Sequence, residues 1–187
     1  MNEAWLPLSA EINLIKNPSI VEFVQFALES APAYFWTVPA STSGKYHPTK
    51  CRAPGGLVHH TRMVVYFVSH MMLSMQCEAW HDELIAAAIL HDMYKNGDNP
   101  KKFMGQNHWA AHGMHLAGHL QRQAGWAHWA GNASVNKILD LTARHMQHWG
   151  GAAPRPASME DWCLALADYV SSRKLVNIEQ FDESKIP

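Results

Sequence analysis

The sequence is poor in cysteine and carries almost no net charge. Its three cysteines, Cys51, Cys77 and Cys163, lie far apart and form no C-x-x-C pair, which argues against a disulfide framework and against a zinc ribbon. The formal net charge is -1 over 187 residues, so bulk electrostatics do not attract the chain to nucleic acid or to an anionic membrane. What remains is a neutral globular protein without a cysteine-based site.

Long apolar runs and a leader sequence are also missing. Every apolar run is much shorter than the ~20 residues that a membrane-spanning helix needs. The first residues, MNEAWLPLSAEINLIKN, lack the basic start and continuous apolar stretch of a signal peptide. We therefore expect a cytoplasmic protein without membrane contact. Residues 1–187 should form a single domain, with a core over about 55–173 and an N-terminal helix and loop, 18–56, packed on it.

Histidine is the residue in excess. The chain has 13 histidines against 15 lysines and arginines together, and eight tryptophans and ten methionines supply bulky core material. A neutral, histidine-rich chain without cysteine pairs is typical of metal sites built from nitrogen and oxygen ligands.

The apolar pattern predicts six or seven helices and no strand, and therefore an all-α fold. The predicted helices cover residues 20–29, 57–76, 82–94, 108–123, 134 to the glycines at 150 and 151, and 159–172. Ser158 and Asp161 have the spacing of a capping box before the last of them. The segment GWAHWAG could be core or an exposed interface patch, and the pattern does not decide between the two.

Four predicted helices each place one metal-capable side chain on an apolar face: His60, His91, His145 and Asp168. A single inward histidine is more often a hydrogen-bonded core residue than a ligand. A buried carboxylate is harder to explain, because an unpaired buried charge costs several kcal/mol. No arginine lies on a matching face to pair with Asp92 or Asp168, whereas a divalent cation would satisfy both.

Taken in order, GGLVHHT, AAAILHDMYK, ARHMQHWGG and ALADYVSSR resemble the HD-domain superfamily of metal-dependent phosphohydrolases. The resemblance extends over about residues 55–173 and implies a helical bundle with the ligand order H, HD, H, H, D. Its anchors are His60 after the Gly-Gly-Leu, the His91-Asp92 pair followed by Lys95, and the distal Asp168.

The resemblance implies a site for two divalent transition-metal ions, chosen among Fe, Mn, Co, Ni and Zn. The ligands that it assigns are His60, His91, Asp92, His112, His145 and Asp168. His112 matches its position best, but His108, His115 and His119 share the same helical stripe. That stripe could also be a partly solvated surface face.

The family's chemistry implies a hydrolase that uses metal-activated water on a phosphate ester or anhydride. Asp92 would bridge two ions, and Lys95 would stabilise charge on the phosphate as the second catalytic residue. Lys95 could instead be a cation that offsets the dipole at the end of a helix.

The loop PASTSGKYHP is the predicted substrate contact, since it leads directly into the helix of His60. Ser43, Lys45 and His47 are donors suited to phosphate oxygens, and Arg144 is a further candidate. An ordinary packed surface loop would account for the same residues. The absence of a basic surplus favours a small phosphorylated substrate, a nucleotide, over a nucleic-acid end.

Two other functions fit the same sequence. A di-iron oxygenase would use the same ligand set and would consume oxygen. A non-catalytic regulatory protein would keep the fold without turnover, although the metal-binding residue types are all retained. The pattern does not indicate an oligomeric state.

Overall fold

The computed structural model describes residues 5–41, 46–98, 112–146 and 153–174. Within these ranges the chain forms seven α-helices and no strand, which confirms the all-α prediction. The helices are α1 (Ser9–Ile12), α2 (Pro18–Glu29), α3 (Gly56–Met71), α4 (His81–Leu90), α5 (His112–Gln121), α6 (Ala133–Arg144) and α7 (Met159–Ser171). None of the helices in these ranges is long and apolar enough to cross a membrane.

Helix α4 is the centre of the bundle. Its residues from Leu84 to Leu90 are fully buried, and the helix contacts α1, α2, α3, α6 and α7. A helix that is apolar all round must be covered on every side. The small side chains of Ala86, Ala87 and Ala88 let the neighbouring helices approach closely, and each fully buried Leu or Ile contributes about 1.5–3 kcal/mol through the hydrophobic effect.

Two helix starts follow from their capping residues. The Asn17 side chain accepts a hydrogen bond from Ser19 N–H, with Pro18 in the first helical position of α2. The Ser158 side chain accepts from Asp161 N–H and the Asp161 carboxylate accepts from Ser158 N–H, so the predicted capping box is present at the start of α7.

Two helices end earlier than predicted. Helix α3 ends at Met71, not at residue 76, and the turn that follows closes at Gln76 with a left-handed φ of 54°. Helix α4 ends at Leu90, not at residue 94. Beyond Leu90 the backbone changes to the shorter-range hydrogen bonds Met93 N–H to Leu90 O and Lys95 N–H to Asp92 O. Buried residues continue past the end of α4, which is why the apolar pattern overestimated its length.

Two other helices are described only in part of their predicted span. Helix α5 is described from His112 and ends at Gln121, not at residue 123. Residues 108–111 of the predicted helix lie outside the described ranges. Helix α6 ends at Arg144, not at the glycines of residues 150 and 151, which themselves lie outside the described ranges.

The loop between α2 and α3 folds back against the start of α3. It contains 3-10 helices at Ala33–Trp36 and Lys50–Arg52, and Leu57 N–H donates to Val38 O. Gly55 has a φ of 74°, and a Cβ on Gly56 would lie 2.2 Å from the Cys51 carbonyl oxygen. The two glycines therefore let this loop pack directly on the first turn of α3.

The aromatic segment before α6 belongs to the core. The Trp129 ring is buried and lies 5.4 Å from the ring of Phe23 and 5.9 Å from that of Phe26, measured between centroids. This contact attaches α2 to the α5–α6 connection. Trp129 of the GWAHWAG segment is therefore part of the core and not of an exposed interface patch.

An N-terminal segment that the sequence pattern did not predict packs on α4. Leu8 and Ile12 are buried, and the Asp82 carboxylate, in the first turn of α4, accepts hydrogen bonds from Lys16 N–H at 3.1 Å and Asn17 N–H at 2.7 Å. Burial opposes ionisation of Asp82, but the bonds from His81 and from these two N–H groups outweigh it and lower its pKa below 3.8. Asp82 thus connects the N-terminal segment to the central helix.

Replacing Asp82 with Ala should lower the free energy of unfolding by about 1–2 kcal/mol, because two backbone N–H groups lose their acceptor. Since the folded-state pKa lies below the ordinary 3.8, the wild-type advantage should be complete above about pH 4. It should shrink as the pH falls toward the lowered pKa. Denaturant unfolding of both proteins from about pH 7 to pH 3.5 measures both effects.

Asp98→Ala is the matched control, since Asp98 is exposed and pairs with Arg122 at 3.4 Å. It should change the unfolding free energy by less than about 0.5 kcal/mol. An Asp82→Ala effect as small as this, or one that grows as the pH falls, would contradict the assigned role.

Candidate metal centre

Six side chains from five helix ends or faces meet beside the central helix. His60 lies within α3, His91 caps the C-terminus of α4, and Asp92 follows it in the next turn. The other three are His112 in the first turn of α5, His145 at the C-cap of α6, and Asp168 in α7. Five of the six are buried, and Asp168 is 21% exposed. The structure therefore brings together the six residues to which the resemblance assigned ligand roles.

The first group of three contains His60, His91 and Asp168. His60 Nε2 lies 3.0 Å from Asp168 Oδ1 and 3.3 Å from His91 Nε2. His91 Nε2 lies 3.9 Å from the same carboxylate oxygen. Two ring nitrogens and one carboxylate oxygen thus point into one small volume, and their spacing is that of a group that could hold a metal ion.

The second group contains Asp92, His112 and His145. His112 Nε2 lies 2.7 Å from Asp92 Oδ1 and 3.0 Å from His145 Nε2. His145 Nε2 lies 3.9 Å from Asp92 Oδ1. These atoms form a second set with the spacing of metal ligands.

The Asp92 carboxylate faces both groups. Its Oδ1 belongs to the second group, whereas its Oδ2 lies 3.7 Å from His60 Nε2 and 3.6 Å from His91 Nε2. One carboxylate thus has an oxygen toward each of the two groups.

Hydrogen bonds on the far side of the imidazoles determine which nitrogen is a free acceptor. His91 Nδ1 lies 2.8 Å from the Ala88 carbonyl and His145 Nδ1 lies 2.6 Å from the Thr142 carbonyl. A carbonyl can only accept, so each Nδ1 carries the proton and each Nε2 presents a lone pair inward. This arrangement is typical of metal-ligating histidines.

His60 is oriented through a hydroxyl group. The Ser171 hydroxyl donates to the Asp168 carbonyl at 2.8 Å and lies 3.3 Å from His60 Nδ1. Because the Ser171 proton is used in that bond, its oxygen is free to accept from His60 Nδ1–H. The Nε2 of His60 faces inward, toward the Asp168 carboxylate.

The inward donor set fits a cation. The Nε2 atoms of His60 and His91 face each other and the Asp168 carboxylate. Asp92 Oδ1 is buried and makes no well-oriented hydrogen bond with any described residue, although His112 Nε2 is 2.7 Å away. The inward lone pairs of His91 and His145 and the two carboxylates place negative charge in one buried volume, and a divalent ion there would stabilise it. The two clusters are thus compatible with divalent metal binding.

Burial keeps two of the imidazoles neutral and the carboxylates stay charged. Burial lowers the pKa of His91, and burial with the neighbouring His112 and His91 lowers that of His145 to about 3. Burial would raise the pKa of Asp92, but Lys95 and the imidazoles hold it well below its usual range; His60 does the same for Asp168. Neutral imidazoles and ionised carboxylates are the forms that bind metal.

Lys95 lies on the opposite side of Asp92 from His112. Its Nζ is 2.7 Å from Asp92 Oδ2 and 23% of its side chain is exposed. Burial alone would lower the pKa of Lys95, but the Asp92 carboxylate raises it, so the side chain remains a cation. Lys95 thus contacts a carboxylate of the cluster directly, a contact that a cation offsetting a helix dipole would not need.

Gly113 sets the spacing between the two helices that carry the second group. A Cβ at Gly113 would lie 2.1 Å from the Thr142 carbonyl and 2.9 Å from His145 Nδ1. That carbonyl is the one that orients His145. Only glycine lets α5 approach α6 closely enough for His112 and His145 to meet.

The remaining histidines of the α5 stripe have other surroundings. His115 is exposed. His119 Nε2 lies 2.9 Å from the Ser30 carbonyl, and its ring stacks on Tyr94 at 4.2 Å between centroids. His108 lies outside the described residues.

The cluster opens into a pocket of about 520 Å³. Its walls beyond the cluster are Tyr46, His47, Lys95, Met146, Ala165, Tyr169, Ser172 and Arg173. His47, a predicted substrate contact, is half-buried with its ring 5.2 Å from that of His60, and burial with the neighbouring His60 and Lys95 lowers its pKa to about 3.

Of the other predicted substrate contacts, Arg144 does not line this pocket. Ser43 and Lys45 lie outside the described residues. Arg144 is engaged elsewhere, since its Nε donates to Asp140 at 2.9 Å and its Nη1 donates to the Arg155 carbonyl at 2.9 Å. The structure therefore uses Arg144 to attach the segment before α7 to α6.

Sequence reasoning missed two parts of the site. They are the pocket-lining residues Tyr46, Tyr169 and Arg173 and the Ser171 hydroxyl next to His60. The signal was present in ALADYVSSR, where a tyrosine, two serines and an arginine follow Asp168 within five residues. Helical spacing places Ser171 and Ser172 one turn beyond Asp168, which would have identified this end of α7 as part of the site.

A scan against protein-family models matches residues 57–173 to the model described as HD domain. The matched segment contains all six clustered residues and Lys95. No match was found among curated proteins or among solved structures.

Replacing His112 with Ala should weaken metal binding by at least about 10- to 100-fold, because the second group loses one of its two nitrogen ligands. Metal content by mass spectrometry after purification, and a titration with Mn²⁺, measure the loss.

His115→Ala is the matched control. It removes an exposed histidine from the same helix and should leave the metal content unchanged. Equal metal content in His112→Ala and the wild type, or an equal loss in both variants, would contradict the assignment of His112 to the centre.

Proposed function

Because the chain belongs to the HD-domain family of metal-dependent phosphohydrolases, we propose that it hydrolyses a phosphate ester or anhydride of a nucleotide or of a nucleic-acid end. Two divalent ions would serve as its cofactor. The ligands would be His60, His91 and Asp168 for one ion and His112 and His145 for the other, with Asp92 shared between them.

The observation that carries this proposal is the position of the shared Asp92 carboxylate. The carboxylate lies between two groups of histidines, and its Oδ2 is 2.7 Å from Lys95 Nζ. Asp92 also lines a pocket of about 520 Å³. A pocket of this size accommodates a small ligand of nucleotide size. Divalent ions bound in such a site supply a more acidic water and neutralise charge on phosphoryl oxygens.

The chain's own residues have separate tasks in this proposal. The carbonyls of Ala88 and Thr142 hold His91 and His145 in the tautomer with a free Nε2, and the Ser171 hydroxyl contacts Nδ1 of His60. Asp92 fixes the distance between the two halves of the site. Lys95 keeps a positive charge next to Asp92 at the pocket wall, where a phosphate oxygen approaching the site would meet it.

The low net charge of the chain favours a small phosphorylated substrate. The net charge of -1 supplies none of the phosphate-backbone attraction on which binding of long nucleic acids depends. A nucleotide or a short nucleic-acid end needs only local positive charge in the pocket, which Lys95 supplies.

The proposal is tested by phosphate and nucleoside release from a panel of nucleoside mono-, di- and triphosphates, cyclic and dinucleotides and short oligonucleotides. The assay is run with Mn²⁺ and with Fe²⁺ under anaerobic conditions. Asp92→Ala should lower release by more than about 100-fold, since both ligand groups lose their shared carboxylate. Asp98→Ala, which removes an exposed carboxylate, should release phosphate at the wild-type rate.

Oxygen uptake without phosphate release by metal-loaded protein would replace the hydrolase proposal with an oxygenase. Release that is unchanged in Asp92→Ala would show that the metal centre is not the site of hydrolysis.

Replacing Lys95 with Met should lower kcat by roughly 100-fold while the metal content stays at the wild-type level, because a cation directed at developing phosphate charge is lost. Lys137→Met is the matched control. Lys137 also lies 2.7 Å from a carboxylate, that of Glu160, with 19% of its side chain exposed, and it is remote from the pocket. A kcat in Lys95→Met within about threefold of the control would remove Lys95 from the catalytic residues.

A further inference from the structure

The pocket wall beyond the six clustered residues carries a cation whose contacts include no carboxylate. Arg173 lines the pocket, and its hydrogen bonds within the described ranges go to the Tyr169 carbonyl and the Ser172 hydroxyl. Lys95, the other lining cation, is paired with Asp92 at 2.7 Å. Arg173 thus supplies positive charge that no described acidic side chain neutralises.

Two aromatic rings lie next to the Arg173 guanidinium. Its Cζ lies 4.2 Å from the Tyr169 ring centroid and 5.4 Å from that of Tyr46. Both tyrosines are largely exposed, at 40% and 50%, so the rings and the guanidinium together form a rim at the mouth of the pocket. Stacking against rings holds a guanidinium in place but uses only its faces.

Part of the N–H edge of the Arg173 guanidinium is available to hydrogen-bond a ligand. Arg173 Nε donates to Tyr169 O at 3.2 Å and Nη2 donates to Ser172 Oγ at 3.0 Å. Nη1 makes no hydrogen bond with any described residue. The fixed fork of an arginine edge matches two oxygens of a phosphate.

We propose that Arg173 is a specificity-determining residue that binds a second, non-scissile phosphate of the substrate. This inference rests on the proposed function, because it takes the scissile phosphate to lie at the metal centre. The preferred substrate class is then a nucleotide with two separate phosphates, such as a nucleoside 3′,5′-bisphosphate, a dinucleotide or an oligonucleotide end. A nucleoside monophosphate would leave Arg173 without a ligand.

Binding is measured by calorimetry on the full, metal-loaded chain with two probes. They are the phosphonate analogues of adenosine 5′-monophosphate and of adenosine 3′,5′-bisphosphate, in which methylene replaces each ester oxygen so that neither is hydrolysed. The wild type should bind the bisphosphate analogue about 10- to 100-fold more tightly. Arg173→Met should abolish this preference and change affinity for the monophosphate analogue by less than about threefold.

Arg155→Met is the charge-matched control, since Arg155 is exposed and does not line the pocket. It should keep the wild-type preference. Arg173→Lys keeps the charge but loses the fork, and should retain part of the preference; it also serves if Arg173→Met does not fold. Equal binding of both probes by the wild type, or an equal loss for both probes in Arg173→Met and Arg173→Lys, would overturn the inference.

Kinetics separate this inference from the proposed function. If the wild type hydrolyses the natural bisphosphate, Arg173→Met should raise its KM about 10- to 100-fold and leave kcat nearly unchanged. If the wild type hydrolyses no member of the panel, the proposed function fails, and the binding measurement still decides whether Arg173 recognises a second phosphate.

Discussion

The buried negative charge of Asp92 is the constraint on which the site and much of the bundle depend. Only 2% of its side chain is exposed, and a carboxylate in that position is tolerated only if its surroundings replace the water that it has lost. The bundle does so with one lysine at 2.7 Å and four imidazoles whose Nε2 atoms lie within 4 Å. The imidazoles at His91 and His145 are themselves neutral, so the compensation within the protein is incomplete. This electrostatic deficit, more than any single distance, is the physical argument for cations at this place.

The same constraint explains the composition of the central helix. For one carboxylate to face imidazoles from α3, α5 and α6, it must project from an element that other helices surround. Such an element has no solvent-facing side, and α4 accordingly has no polar residue between Leu84 and Leu90. The regular helix ends at Leu90, and the tighter turns that follow carry His91, Asp92 and Lys95 within five residues. Gly113 allows α5 to pack closely on α6, and Gly56 allows the loop before α3 to pack on the first turn of that helix.

Periodicity predicted the helices and the inward direction of His60, His145 and Asp168, because both depend on spacing along one chain segment. It did not predict the N-terminal segment, since a single turn such as α1 has too few residues for a period. It placed the ends of α3 and α4 too late, because buried residues continue into the turns that follow. The orienting roles of Ser171 and the Thr142 carbonyl depend on which helices meet. The residue spacing within one helix does not indicate which other helices it contacts. The choice of His112 over His115 likewise depends on how α5 faces α6.

The two sides of the pocket are held by different means. The metal-centre side is built from helices packed on a fully buried core, where a small displacement would disturb several contacts at once. The rest of the pocket wall is built from Tyr46 and His47, which belong to a loop, and from Tyr169 and Arg173 at the end of α7. Loops and helix ends tolerate sequence change with little cost to the core. A reaction common to a family is therefore best placed on the first side, and the choice among phosphorylated substrates on the second, where aromatic rings and an arginine edge can be exchanged without moving Asp92.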